Sequence, residues 1–158
     1  MPAKLKMNKP EYLYIKNDQL GVHKDNEKII KVIAGKFENA EGPEKGHNVD
    51  PIYFHIVLEK DKEFKCDVPS GHNSFIYLLA GDLSVGENKH DKTSNSNLIL
   101  LDRGDKLIVK ANKKSEFLFI AGKPIGEPIA RGGPFVMNTK AEILQAVQDY
   151  HNGTFAKY

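Results

Sequence analysis

Cysteine is almost missing from this chain. Cys66 is the only one among 158 residues, which excludes an internal disulfide and a cysteine-rich zinc site and leads to the expectation of a reducing, intracellular setting. No charge of one sign dominates. The 23 Lys and Arg stand against 21 Asp and Glu, a net charge of +2, too small to draw the chain to nucleic acid or to an anionic membrane surface. Lys4, Lys6 and Lys9 are spaced among apolar residues and read as a solvated face. No run of 18 apolar residues occurs, which argues against a membrane-spanning helix. The first 20 residues carry Pro2, Pro10, Glu11 and Asp18 and no apolar stretch, so no secretory signal is read there. The expected location is the cytoplasm, with the nucleus an option in a eukaryotic source. Asn152-Gly153-Thr154 has the form of a glycosylation sequon, idle without a secretory route. No internal repeat or low-complexity tract is present, and no glycine-rich phosphate loop precedes a helix, which disfavours nucleotide-binding α/β folds.

The composition is that of an ordinary globular domain, 40% apolar and 28% charged, long enough for one hydrophobic core and too short for two domains of usual size. From Ile30 to Phe119 there is no helical period. Ile30 to Ala34 is apolar and β-branched. Asn39 to Asp50 reads as a loop. Ile52, Phe54, Ile56 and Leu58 alternate with Tyr53, His55, Val57 and Glu59, the period of a half-buried strand. Phe75 to Ala80 reads as a strand, broken at Gly81-Asp82 and resumed at Leu83 to Val85 as a hairpin. Gly86 to Ser96 reads as a surface loop. Leu98 to Leu101, Lys106 to Lys110 and Phe117 to Ala121 follow as strands, with turns at Arg103-Gly104-Asp105 and Asn112-Lys113-Lys114. Short strands at this spacing predict an antiparallel sandwich or barrel.

One helix is legible. Thr139 followed by Glu142 is a capping box, Ile143, Leu144, Val147 and Tyr150 mark an apolar face with Ala146 beside it, and Gly153 suits the residue after the C-cap.

The whole string GPFVMNTKAEILQAVQDYHNGTF, Gly133 to Phe155, closely resembles the C-terminal signature of the pirin family. Two further stretches share the resemblance: Ser74 to Asp82, SFIYLLAGD, and Phe119 to Pro128, FIAGKPIGEP. It extends from about Tyr53 onward. Met1 to Met7 resembles the segment that links the two cupin domains of a pirin, so the chain is expected to begin where a pirin's second half begins. Gly132 departs from the pattern, in which a bulkier residue is common. The resemblance implies an all-β cupin jelly-roll sandwich with one short C-terminal helix. Residues 1–25 are then expected to be linker-like and residues 26–158 to form one pirin C-terminal-type cupin domain.

It also implies an iron site in the other half. Cupins hold metal through His-x-His, a following Glu and a later His, a donor set that leaves positions open for oxygen or substrate; in pirins these ligands lie in the N-terminal domain. Counting back from Gly81, the glutamate position falls on Ser74 and the histidine positions fall near Asp67 and Pro69. The last would fall at Asn112 to Ser115, where no histidine stands. No catalytic, cofactor-binding or metal-ligating residue is therefore assigned in this chain, and iron is expected only in the N-terminal domain of a full-length pirin.

The remaining candidates give no alternative chemistry. His23, His47 and His90 lie in polar stretches and read as solvated, and His151 suits a helix C-terminus. His55, His72 and Cys66 would form an N/S site only by converging, which no spacing enforces. Ser70-Gly71-His72 is not a nucleophile elbow. Glu41, Glu44, Glu59, Asp61 and Glu63 read as a solubilising face, and Lys106, Lys110, Lys113, Lys114 and Lys123 as a solvated edge rather than a nucleic-acid patch. The expectation is a metal-free binding or assembly half, joined to a second copy or to an N-terminal pirin cupin domain. Alternatively, it is part of an iron-dependent enzyme of the quercetin 2,3-dioxygenase type whose iron lies in that other domain. A metal-free pocket for a small apolar ligand is a third option.

Overall fold

The computed structural model describes residues 1–44, 48–86, 91–94 and 97–155. The strands run β1 (Gly21–Lys24), β2 (Lys28–Ala34), β3 (Lys36–Phe37), β4 (Ala40–Glu41), β5 (Ile52–Leu58), β6 (Glu63–Asp67), β7 (Asn73–Ala80), β8 (Asp82–Val85), β9 (Asp91–Ser94), β10 (Leu98–Leu101), β11 (Lys106–Ala111), β12 (Ser115–Gly122), β13 (Ala130–Gly132) and β14 (Phe135–Met137), followed by helix α1 (Lys140–His151). They form two compact units, Ile15–Pro124, and Met1–Tyr14 with Ile125–Tyr158.

The larger unit is an antiparallel sandwich. One sheet has the order β1-β2-β5-β12-β7-β10 and the other β6-β11-β8-β9. Alternation makes the core: on β5 and β12, Phe54, Ile56, Leu58, Phe117 and Phe119 point inward and are buried, while their neighbours stay half-covered. Ile30 and Val32 of β2, Phe64 of β6, Ile76 and Leu78 of β7, Leu83 of β8 and Val109 of β11 complete it. Each fully buried side chain of this size contributes roughly 1.5–3 kcal/mol.

Three strand expectations change, the first being that the stretch from Asn39 to Asp50, read as a loop, contains β4, paired with β3. The segment around Gly81 is not a hairpin but a corner, because β7 ladders with β12 and β10 whereas β8 ladders with β11 and β9 in the opposite sheet. A single connecting residue cannot reverse the chain; it can only redirect it. Gly81 does so at φ +105°, and a Cβ there would strike the hydroxyl and Cα of Ser115 and the Lys114 carbonyl. Ser115 Oγ accepts from the Asp82 N–H at 3.0 Å and donates to the Lys113 carbonyl at 2.8 Å. Asn112 Nδ2 donates to Asp82 Oδ1 at 2.6 Å and to Ser84 Oγ at 2.9 Å. Both sheet crossings are thus tied to each other. The polar stretch from Gly86 to Ser96 also contains strand β9, paired with β8; residues 87–90 and 95–96 lie outside the described residues. β1, at the end of the segment read as linker-like, pairs with β2 from Gly21 to Lys24.

In the smaller unit the hairpin β13–β14 lies beside α1. Thr139 and Glu142 form the expected capping box, with Glu142 N–H to Thr139 Oγ1 at 3.2 Å and Thr139 N–H to Glu142 Oε2 at 2.7 Å. The Thr139 N–H, the Thr139 hydroxyl and the Asn138 N–H all donate to the Glu142 carboxylate and lower its pKa. At the far end Gly153 takes φ +69°, the Gly153 N–H reaches the Tyr150 carbonyl and the Thr154 N–H the Asp149 carbonyl, a Schellman closure. The buried face of the helix differs from the expected one: Ala146 and Asp149 are buried, and Leu144 is 71% exposed. Leu144 lies about 160° around the helix from Ala146, so the two cannot share a face. Gly132 has a local reason, since a Cβ there would strike Ile143 of the helix.

Gly81→Ala is expected to destabilise the chain by about 2–4 kcal/mol, through backbone strain together with the clash at Ser115. Urea unfolding measures it; a loss below about 0.5 kcal/mol would show that the corner tolerates a side chain.

Candidate functional site

The positions where a cupin metal would be held lie at one end of the space between the sheets. Ser74 pairs with Ala121 and Leu101, both on the inner side, so its side chain points inward. Asp67 ends β6, and Pro69 follows buried Val68. Carboxylate and hydroxyl oxygens without imidazole do not make an iron site, and among the described residues no group of three His, Cys, Asp or Glu could hold a metal ion. The interior behind them is filled by phenylalanine: Phe37 meets Phe54 at 5.9 Å and Phe64 at 5.5 Å between ring centroids, and Phe64 meets Phe117 at 6.2 Å. Among the described residues, the three positions Ser74, Asp67 and Pro69 do not fit an iron centre.

The histidines are distributed over separate places. His55 points out from the large sheet and its Nε2 lies 2.6 Å from Glu116 Oε1. His72 is buried, with Nε2 3.1 Å from the Asp50 carbonyl and Nδ1 without a partner. His23 was expected to be solvated, yet it lies on β1 with its side chain only 19% exposed. Its ring nitrogens lie 3.1 Å from Asp25 Oδ2 and 3.0 Å from Glu38 Oε2, and its edge packs on Phe37. Residues that look loop-like in sequence are pinned there by a turn: Lys28, the Glu27 N–H and His23 together hold the Asp25 carboxyl far below the carboxylate range. His151 ends α1 as expected. His47 and His90 lie outside the described residues. Glu59 pairs with Lys114 at 2.6 Å and Glu63 with Lys65 at 2.9 Å, ordinary surface pairs worth little.

The outer face of the large sheet is unusual. Its cross-strand rows read Lys31, His55, Leu118, Tyr77, Leu98 and then Tyr53, Ile120, Phe75, Leu100. A solvated sheet face alternates apolar-in with polar-out; here the outward positions of β12, β7 and β10 are mostly apolar. Tyr77 is 37% exposed, Leu79 39%, Leu98 55% and Leu100 77%. Sequence alternation found the inner face and passed over this one, because the outward residues of β7 and β10 are as apolar as the inward ones. Clefts among the described residues include the following two. One of about 540 Å³ is lined by Glu41, Glu44, Asp50 and Asp67 with Lys36. The other, about 270 Å³, opens between the sheets beside Ser74.

Cys66 packs half-buried against the core. Burial, with the Asp67 charge adding, pushes its thiol from 9.0 up to about 12. A folded-state value above the unfolded one favours folding at low pH: the contribution is complete below about pH 9 and is lost as pH rises toward 12. The thiolate is the nucleophile, so iodoacetamide at pH 8.5 is expected to alkylate Cys66 roughly a hundredfold slower in the native chain than in urea. Equal rates would mean an ordinary, reactive thiol.

Comparison with known proteins agrees with this architecture. Residues 53–156 match the pirin C-terminal cupin domain family. The pirin-like protein of Caulobacter vibrioides is 35% identical over 157 residues, covering 98% of this chain and 56% of that protein. Human pirin is 32% identical over 151 residues, covering 93% and 51%. The crystal structure of a quercetin 2,3-dioxygenase from Acinetobacter baumannii superposes with a TM-score of 0.88 at 30% identity, over 98% of this chain and 54% of that one. The chain thus spans about half the length of the relatives it matches. With its jelly-roll sandwich, its closing helix and the GPFVMNT run all in place, it belongs to the pirin family as a C-terminal cupin domain.

Proposed function

We propose that this chain acts as a metal-free assembly half, a cupin domain that works by covering, or being covered by, a partner of its own kind. The observation that carries this reading is the apolar outer face around Phe75, Tyr77, Leu98, Leu100, Leu118 and Ile120. Contiguous apolar surface of this sort marks interaction sites. The relatives' length supports the choice of partner, since each has nearly as much chain again beyond the matched part. The partner is therefore an N-terminal pirin cupin domain or a second copy of this chain. Sedimentation velocity is expected to show either self-association at micromolar concentration or a complex with a separately produced N-terminal pirin domain. The double substitution Tyr77→Lys, Leu100→Lys is expected to weaken that association at least tenfold. A compact monomer that ignores such a domain counts against the reading.

A second reading is favoured by the likeness to the quercetin 2,3-dioxygenase structure. In it, the chain is part of an iron-dependent oxidoreductase whose iron belongs to another cupin domain, and these residues brace that domain. The chain by itself is then expected to retain no iron after purification and to leave quercetin unchanged. Stoichiometric iron, lost on replacing His55 or His72, would overturn both readings.

A further inference from the structure

The 270 Å³ cavity between the sheets shares only Leu100 with the outer-face residues named above, and its chemistry differs from theirs. It opens where β10, the edge of the large sheet, stands opposite β11 and the end of β8. Its walls are apolar: Val68, Val85, Ile99, Leu101 and Leu107, with Val68 and Leu107 buried at its floor. Ser74 adds one hydroxyl, which has no hydrogen-bond partner among the described residues. The rim carries Arg103, Lys106 and Asp102, and Asp67 is the cross-strand neighbour of Lys106. Neither cation makes an ion pair with any described residue.

These features select a ligand class. Apolar walls require a ligand body that is mostly hydrocarbon or aromatic. An unpaired guanidinium beside an ammonium requires an anionic end, and the planar fork of arginine matches a carboxylate in two-point fashion. Asp102 on the same rim repels a dianion such as a phosphate monoester. The volume lies just below the range of pockets for drug-sized ligands, which suits one ring with a short acid group. We propose that this cavity is a binding site for a small apolar or aromatic monocarboxylate, its ring between Ile99, Leu101 and Leu107 and its carboxylate at Arg103 and Lys106.

The test is a methyl-labelled NMR titration of the full chain with benzoate, and with benzamide as its neutral counterpart. Saturable shifts at the methyls of Ile99, Leu101 and Leu107 are expected with benzoate, with at least tenfold weaker binding of benzamide. Replacing the exposed pair, Arg103→Gln with Lys106→Gln, is expected to bring the two ligands to equal affinity without affecting the fold. Ser74→Leu is expected to fill the cavity and abolish the benzoate shifts; if it does not fold, the rim double variant decides alone. No saturation at tens of millimolar, shifts confined to other methyls, or benzamide binding as tightly as benzoate would each overturn the proposal.

Discussion

Phe37, Phe54, Phe64, Phe117 and Phe119 must share the space between two sheets, and the rest of the larger unit is arranged around that requirement. Their rings meet edge-on or tilted at centroid distances of 5.5–6.2 Å, the arrangement that the ring quadrupole favours. Because they come from β3, β5, β6 and β12, no sheet can shift without opening the others. Open space among the described residues includes a narrow cavity beside Ser74, an acidic cleft, and a pocket of about 300 Å³ lined by Phe37, Phe54 and Cys66.

Two of the passages between the sheets, β7 to β8 and β11 to β12, are linked to each other. The corner at Gly81 and the turn at residues 112–114 are joined through Ser115, Asn112 and Asp82, so that each passage of the chain stabilises the other. The buried polar groups there are paired, as a low-dielectric site demands. The only observed function of this network is geometry: it directs β8 into the small sheet, where Val85 and Gly86 come to line the cavity opposite β10.

Much of this was legible in residues. The strand alternation at Ile52 to Leu58, the capping box at Thr139 and Glu142, and the GPFVMNT run led to sandwich, helix and family alike. Where the reading failed, the cause is specific. Gly81-Asp82 has turn chemistry, yet the hydrogen-bond partners of the flanking strands decide whether a turn is a hairpin or a corner, and those partners are distant in sequence. Leu144 is apolar and near the right spacing, but the side of the helix facing β13 and β14 is set by packing. His23 sits in a polar stretch and is nonetheless held by Asp25 and Glu38 from two different turns.

The candidate sites were less legible than the fold. Counting the family pattern back from Gly81 assigned the ligand positions to Ser74, Asp67 and Pro69, and the structure puts Ser74 on the inner side of β7. Neither the apolar outer face nor the cavity could be read that way, since each gathers residues from strands far apart in the chain. The sequence by itself determined the strand pattern, the helix with its caps and the family, all of which depend on residues close together. Only the tertiary structure decided which sheet each strand joins, which apolar residues stay exposed, and that Arg103, Lys106 and Ser74 meet at one opening. Those outcomes depend on pairing between β7, β10 and β11, and no local spacing encodes it.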